Sequence, residues 1–173
     1  FVSSGKAGRM QVRVREVLRR VERLLVVQFV FDETAPTSRY LESRLDGLAH
    51  SIITHARGGL NPSAEMAGHT DAVGREEHNL KLSGRRAERE LAILRLYMMH
   101  YLDMSRDELN DWLGEIEVNL SSRGYGASRP YTLQATDPTG VEIFIGDNDT
   151  PRGRTINRRV TVDYGIDEDP PRK

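Results

Sequence analysis

Gly68-His69-Thr70-Asp71-Ala72-Val73-Gly74, running on to Asn79-Leu80-Lys81-Leu82-Ser83-Gly84-Arg85-Arg86-Ala87, is the stretch that decides the fold. It sets a carboxylate in a loop that leaves a short strand, expected at roughly 64–68, and enters the polar start of a long helix. Leu80, Ala87, Leu91, Leu94 and Met98 make the apolar stripe of that helix, which should run to about Tyr101. Asn79, Ser83 and Arg86 stand at i, i+4 and i+7, so they share one face and can converge near Asp71. An acceptor-only carboxylate beside a guanidinium fork suits a zwitterionic amino-acid head group: its ammonium donates to the acid, and its carboxylate accepts two parallel bonds from the arginine. Amides at the helix start would add donors for an anion. On spacing alone, an Asp and an Arg flanking a helix start are more often a structural salt bridge than a ligand pair.

Working outward, Val26-Val27-Gln28-Phe29-Val30-Phe31 is short, β-branched and aromatic and reads as a core strand. A helix over 38–56 follows, with Leu41, Leu45, Leu48 and Ile52 on one face, stopped by Gly58-Gly59 and Asn61-Pro62. Beyond the long helix, Ser105-Arg106-Asp107-Glu108 has the form of a capping box before Leu109, Trp112, Leu113 and Ile116, which predicts a further short helix. Strands are expected at 117–123, ending at Gly124-Tyr125-Gly126, and at 160–164, with an extra one at 141–145 in a turn-rich segment. Near the start, residues 1–8 read as a tether, and Val14, Leu18, Val21 and Leu25 recur at helical spacing, predicting an amphipathic helix up to residue 25. The alternation of Val12 and Val14 with Arg13 and Arg15 supports a strand there instead. Residues 166–173, with two prolines and mixed charges, read as a disordered tail. Strands separated by helices give an α+β class: a mixed sheet with two long helices packed on one face, plus the N-terminal helix.

A net charge of -1 offers no bulk reason to expect nucleic acid, and the arginines between 9 and 23 read as a solvated helix face. The chain has no cysteine, hence no disulfide and no thiolate chemistry. No run approaches the roughly 20 apolar residues of a membrane span. A first residue of Phe1 suggests a cut from a longer protein, so membrane attachment is expected only through parts outside this chain. His69 with His78 could suggest a metal or a general base, but no metal-ligand spacing accompanies them, and a loop-fixing hydrogen bond is the better reading of His69. Thr70 and Ser83 have no motif that places a base beside them and read as loop and helix-start hydrogen bonders. The expectation is a non-enzymatic domain with no catalytic residue, metal or cofactor.

The ordered motifs Gly68-His69-Thr70-Asp71-x-x-Gly74, Asn79-x-x-Leu82-Ser83-x-x-Arg86-Ala87, Gly124-Tyr125-Gly126 with Pro130, and Asn148-x-Thr150-x-x-Gly153-Arg154 followed by Asn157-Arg158-Arg159-Val160 resemble the OmpA-like C-terminal domain family of peptidoglycan-associated lipoproteins and flagellar stator proteins. The resemblance covers roughly Val26 to Tyr164 and implies a β-α-β-α-β-β fold over 26–165. It also implies non-covalent binding of the diaminopimelate-type residue of the peptidoglycan stem peptide, in the periplasm and in association with the outer membrane. On this resemblance Asp71 and Arg86 would hold the diamino acid, Asn79 and Thr70 would line the pocket, and one of Arg158 and Arg159 would complete it. Removing Asp71 or Arg86 should then abolish wall binding and leave the fold intact. Segments 105–120 and 131–146 depart from the family pattern and are expected to be peripheral insertions, open to envelope protein partners. Through them the fold could instead have lost wall binding and serve as a structural or interaction domain.

Overall fold

The computed structural model describes residues 19–37, 43–134 and 142–167. Its elements in chain order are β1 (Arg19–Gln28), α1 (Ser43–Arg57), β2 (Asn61–Gly68), α2 (Glu76–Leu102), α3 (Arg106–Glu115), β3 (Asn119–Gly124), β4 (Thr132–Gln134), β5 (Glu142–Phe144), α4 (Pro151–Asn157) and β6 (Arg159–Asp167). The main sheet has the order β1-β6-β2-β3, while β4 and β5 form a separate two-stranded ribbon. β6 runs antiparallel to both β1 and β2, and β2 and β3 are parallel, as the crossover through α2 and α3 requires. The sheet is therefore mixed, with the expected β-α-β-α-β-β order in its frame.

Period-two alternation sorts β6 onto two faces. Val160, Val162 and Tyr164 enter the core with Ala64 and Met66 of β2. Leu45, Leu48, Ala49, Ile52 and Ile53 of α1 and Ala87, Leu94 and Met98 of α2 meet them there. The two long helices pack on each other and both on β2, which puts them on one side of the sheet. Gly59, at φ 79°, ends α1 in a left-handed turn, and Asp103, at φ 53°, does the same for α2.

Three expectations need correction. The N-terminal helix does not extend over residues 19–25, which belong to β1 and pair with β6 from Arg19↔Asp167 to Gln28↔Arg159 across a bulge between Leu25 and Val27. Ladder pairing with β6 outweighs the helical spacing of Val21 and Leu25, and the expected boundary at residue 25 falls inside a strand. Residues 1–18 lie outside the described residues, as does the start of the helix expected at 38. Segment 105–120 is not peripheral: Leu109, Leu113 and Val118 are buried in the main core, and Trp112 packs against it. Its capping box is present, with Ser105 Oγ accepting from Glu108 N and Glu108 accepting from Ser105 N, so the helix is fixed at its start and buries its apolar stripe. At the far end β6 continues through Asp167, past the expected start of the tail at 166, and residues 168–173 lie outside the described set. Two elements have no counterpart among the sequence expectations: β4, and α4, which is started by Thr150 Oγ1 accepting from Gly153 N and by Pro151 in its first turn.

Candidate functional site

The site sits where β2 and β3 end against the start of α2. A Cβ on Gly68 would lie 2.0 Å from the Ser83 carbonyl oxygen, and one on Gly124 would lie 2.5 Å from the Gly84 nitrogen. Only glycine lets helix and strands approach this closely, so α2 lies flat on the strand ends. The loop leaving β2 is then pinned on both sides. His69 N donates to Arg159 O at 2.8 Å, Thr70 N to Gly126 O at 2.9 Å, and Gly126 N to Ser83 Oγ at 2.9 Å. Ser83 thus ties a loop to the helix start, as the sequence suggested.

Asp71 is delivered into the interior by this loop, with only 3% of its side chain exposed. Its Oδ1 accepts from Val73 N at 3.1 Å, and its Oδ2 pairs with Arg158 Nη1 at 2.7 Å. Asn79 Nδ2 reaches back to the Asp71 and Val73 carbonyls at 3.3 and 3.1 Å, so Asn79 holds the loop through its backbone.

Arg86 lies in the same wall but is engaged differently. Its Nε, Nη1 and Nη2 donate to the carbonyls of Glu33, His69 and Val30 at 2.8, 3.2 and 3.0 Å, and its guanidinium lies 4.6 Å from the centre of the Phe29 ring. Burial first, and then the nearby Arg158 charge, lower its pKa to about 10, which leaves it a cation at neutral pH. Arg158 also donates from Nε to Phe29 O and from Nη2 to Thr155 Oγ1.

Asp71, Arg86, Asn79, Thr70 and Arg158 together line a cavity of about 140 Å³, with Phe31, Asp32, Val73, Gly74, His78 and Leu82 completing its wall. Five of the six residues singled out from the sequence thus meet in one pocket. The buried Thr70 Oγ1 has no hydrogen-bond partner among the described residues. Phe31 and Val73 are 54% and 45% exposed at the cavity, and His78 Nε2 lies 2.5 Å from Asp32 Oδ1 beside them. None of these four is among the residues the sequence points to for the pocket, and the signals available were an apolar Phe31 and Val73 beside charged motifs and a His78 read only as a candidate partner of His69.

Arg159 is the exception among the six. It points to the other face of the sheet, where Nη2 donates to Arg129 O at 3.2 Å and its guanidinium stacks on Tyr131. Of the two adjacent arginines, Arg158 is the one at the Asp71 pocket, because it caps α4 before the strand begins. Asn157 braces the region from within: Nδ2 donates to Gly146 O and Asn148 Oδ1, and Oδ1 accepts from Tyr131 N. Asn148 Oδ1 in turn accepts from Ala72 N, which links this motif to the Asp71 loop. Among the described residues no group of three or more His, Cys, Asp and Glu is placed to hold a metal, and no helix is long and apolar enough to cross a membrane.

No family model matches the chain. Outer membrane porin F of Pseudomonas fluorescens is 34% identical over 98 residues, 57% of this chain and 21% of the porin, so this chain spans about a fifth of that relative's length. The crystal structure of the peptidoglycan-associated lipoprotein from Burkholderia pseudomallei superposes with a TM-score of 0.50 at 21% identity, over 80% of this chain and 87% of the other. The cell wall anchor of the T6SS from Pseudomonas aeruginosa superposes with a TM-score of 0.50 at 17% identity, over 87% and 82% of the two chains. Its sheet and helices are arranged as in these structures, so the chain has an OmpA-like fold.

Proposed function

We propose that this domain binds peptidoglycan without covalent chemistry and so holds an envelope protein, in the periplasm and associated with the outer membrane, to the cell wall. The finer reading is that the Asp71 pocket takes the diamino acid of the stem peptide, of the diaminopimelate type. The observation that carries it is a carboxylate 3% exposed, lining one small cavity together with two guanidiniums and a buried Thr70 hydroxyl that has no partner among the described residues. Two of the four or so lone-pair sites of Asp71 are engaged, which leaves room to accept from a ligand ammonium. Arg158, at the mouth of the pair with 15% of its side chain exposed, can turn part of its fork to the ligand carboxylate, and Thr70 Oγ1 can take one further bond. The names of the relatives support the general reading: one is a peptidoglycan-associated lipoprotein, another a cell wall anchor, and a third an outer membrane porin. These names also favour anchoring over catalysis.

A second reading is an OmpA-like fold without wall binding, in structural or protein-interaction service. Its specific support is that Asp71 already has a cation in Arg158 and that Arg86 is committed to three carbonyls. Sedimentation of the purified chain with insoluble peptidoglycan separates the two. The proposal expects retention on diaminopimelate walls, weaker retention on lysine walls, and no release of soluble muropeptides. Failure to sediment with either wall would establish the second reading.

A further inference from the structure

On the sheet face opposite the helices lies a larger cavity, of about 340 Å³, lined by Ala67, His69, Tyr131, Arg159, Thr161 and Asp163 together with the chain at 129, 130 and 132. That is space for about ten waters, far more than one ion needs. Strand alternation creates it: while Val160, Val162 and Tyr164 enter the core, Arg159, Thr161 and Asp163 of the same strand project to the other side. Ala67, directly across from Thr161 in the β2–β6 register, is small and leaves the floor open.

Two features mark the cavity as more than a surface fold. Thr161 is 1% exposed, and its Oγ1 has no hydrogen-bond partner among the described residues, an arrangement that costs stability unless something fills it. Arg159, 4% exposed, brings a desolvated guanidinium to the same wall, stacked 4.7 Å from the Tyr131 ring centre. Arg129 adds a second guanidinium, so among the described residues the lining holds two guanidiniums and the carboxylate of Asp163.

We infer that this cavity is a second binding site, for a small hydroxylated organic carboxylate whose acid group meets Arg159 and Arg129 while its hydroxyl or amide groups bond Thr161 and Asp163. It stands apart from the Asp71 pocket, although the two share backbone: residues 69 and 159 serve one cavity, and 70, 71 and 158 serve the other. Such a carboxylate has two sources, the lactyl acid of a wall sugar or a free hydroxy acid.

The test is a titration of the whole chain, followed by amide NMR, with N-acetylmuramic acid in one arm and tartrate in the other. Saturable shifts clustered at 67, 69, 131 and 159–163 are expected with at least one probe, and the responding probe identifies the source. Thr161→Val, which removes the hydroxyl and keeps the shape, should leave thermal stability unchanged or raised and weaken the probe about tenfold. Asp71→Ala should abolish wall sedimentation and leave this titration unchanged, so failure of one site is distinguishable from failure of the other. No saturable shift with either probe, shifts confined to the Asp71 pocket, or parent-like affinity in Thr161→Val would overturn the assignment.

Discussion

Two regions supply a guanidinium to the Asp71 pocket, the inner face of α2 and the junction between α4 and β6, and they use it in different ways. Arg86 on α2 is fully buried and, among the described residues, donates only to backbone carbonyls, two of them between β1 and α1, at Val30 and Glu33. Arg158 at the junction is part-exposed and meets the Asp71 carboxylate. The first works as a clasp on the chain, the second as a counter-charge that can be exchanged. Identical side chains at one cavity can therefore differ in whether they hold the fold together or balance a buried charge.

Arg86→Ala puts the sharpest strain on that contrast. It leaves three carbonyls without a donor and a void beside Phe29, and should cost about 3 kcal/mol or more in urea unfolding. The structure thus argues against the expectation that Arg86 can be removed with the fold untouched. An unfolding midpoint equal to the parent's would break the distinction between the two arginines. Asp71→Ala comes next, with a loss of about 2 kcal/mol, because Arg158 can turn to water once its partner is gone, together with complete loss of wall sedimentation. A folded Asp71→Ala protein that still sediments would move the ligand site elsewhere. Arg158→Gln should cost about 1 kcal/mol and weaken sedimentation less than Asp71→Ala does, because the ammonium acceptor survives. Thr70→Val should change stability by no more than about 0.5 kcal/mol, since its hydroxyl has no partner among the described residues, yet it should lower retention on the wall. A Thr70→Val protein as well retained as the parent would remove that hydroxyl from the site.

How far the molecule was legible depended on whether the deciding interaction lay close in sequence. The β2 end, the Asp71 loop and the start of α2 lie within twenty residues and carry their own punctuation in Gly68, Gly74 and the helical spacing of Asn79, Ser83 and Arg86. They could be read directly, and the two long helices with them. β1 could not, because Val21 and Leu25 fit a helix as well as a strand, and what selects the strand is β6, far along the chain. The helix α3 was legible from its capping box, but its place in the core was not, since nothing local says what Leu109 and Leu113 will face. For α4 the signal is present in Thr150-Pro151, a cap followed by a first-turn proline, inside the motif from Asn148 to Arg154. The choice between Arg158 and Arg159 rests on where a helix stops and a strand starts, a shift of one residue that sequence alone does not resolve.

The position of β6 has a consequence for the order of events when the chain is made. Among the described residues, the strand that lies between β1 and β2 is the last of the sheet to be synthesised, and β1 has no other partner in the main sheet. Until residues near 167 have emerged, the early strand has nothing to pair with, and the Asp71 loop lacks both Arg158 and the carbonyl of Arg159 that fixes His69. Partial chains are thus held back from premature closure by topology, at the expense of slow, non-local assembly. The Asp71 cavity therefore comes into being in the same step as the fold.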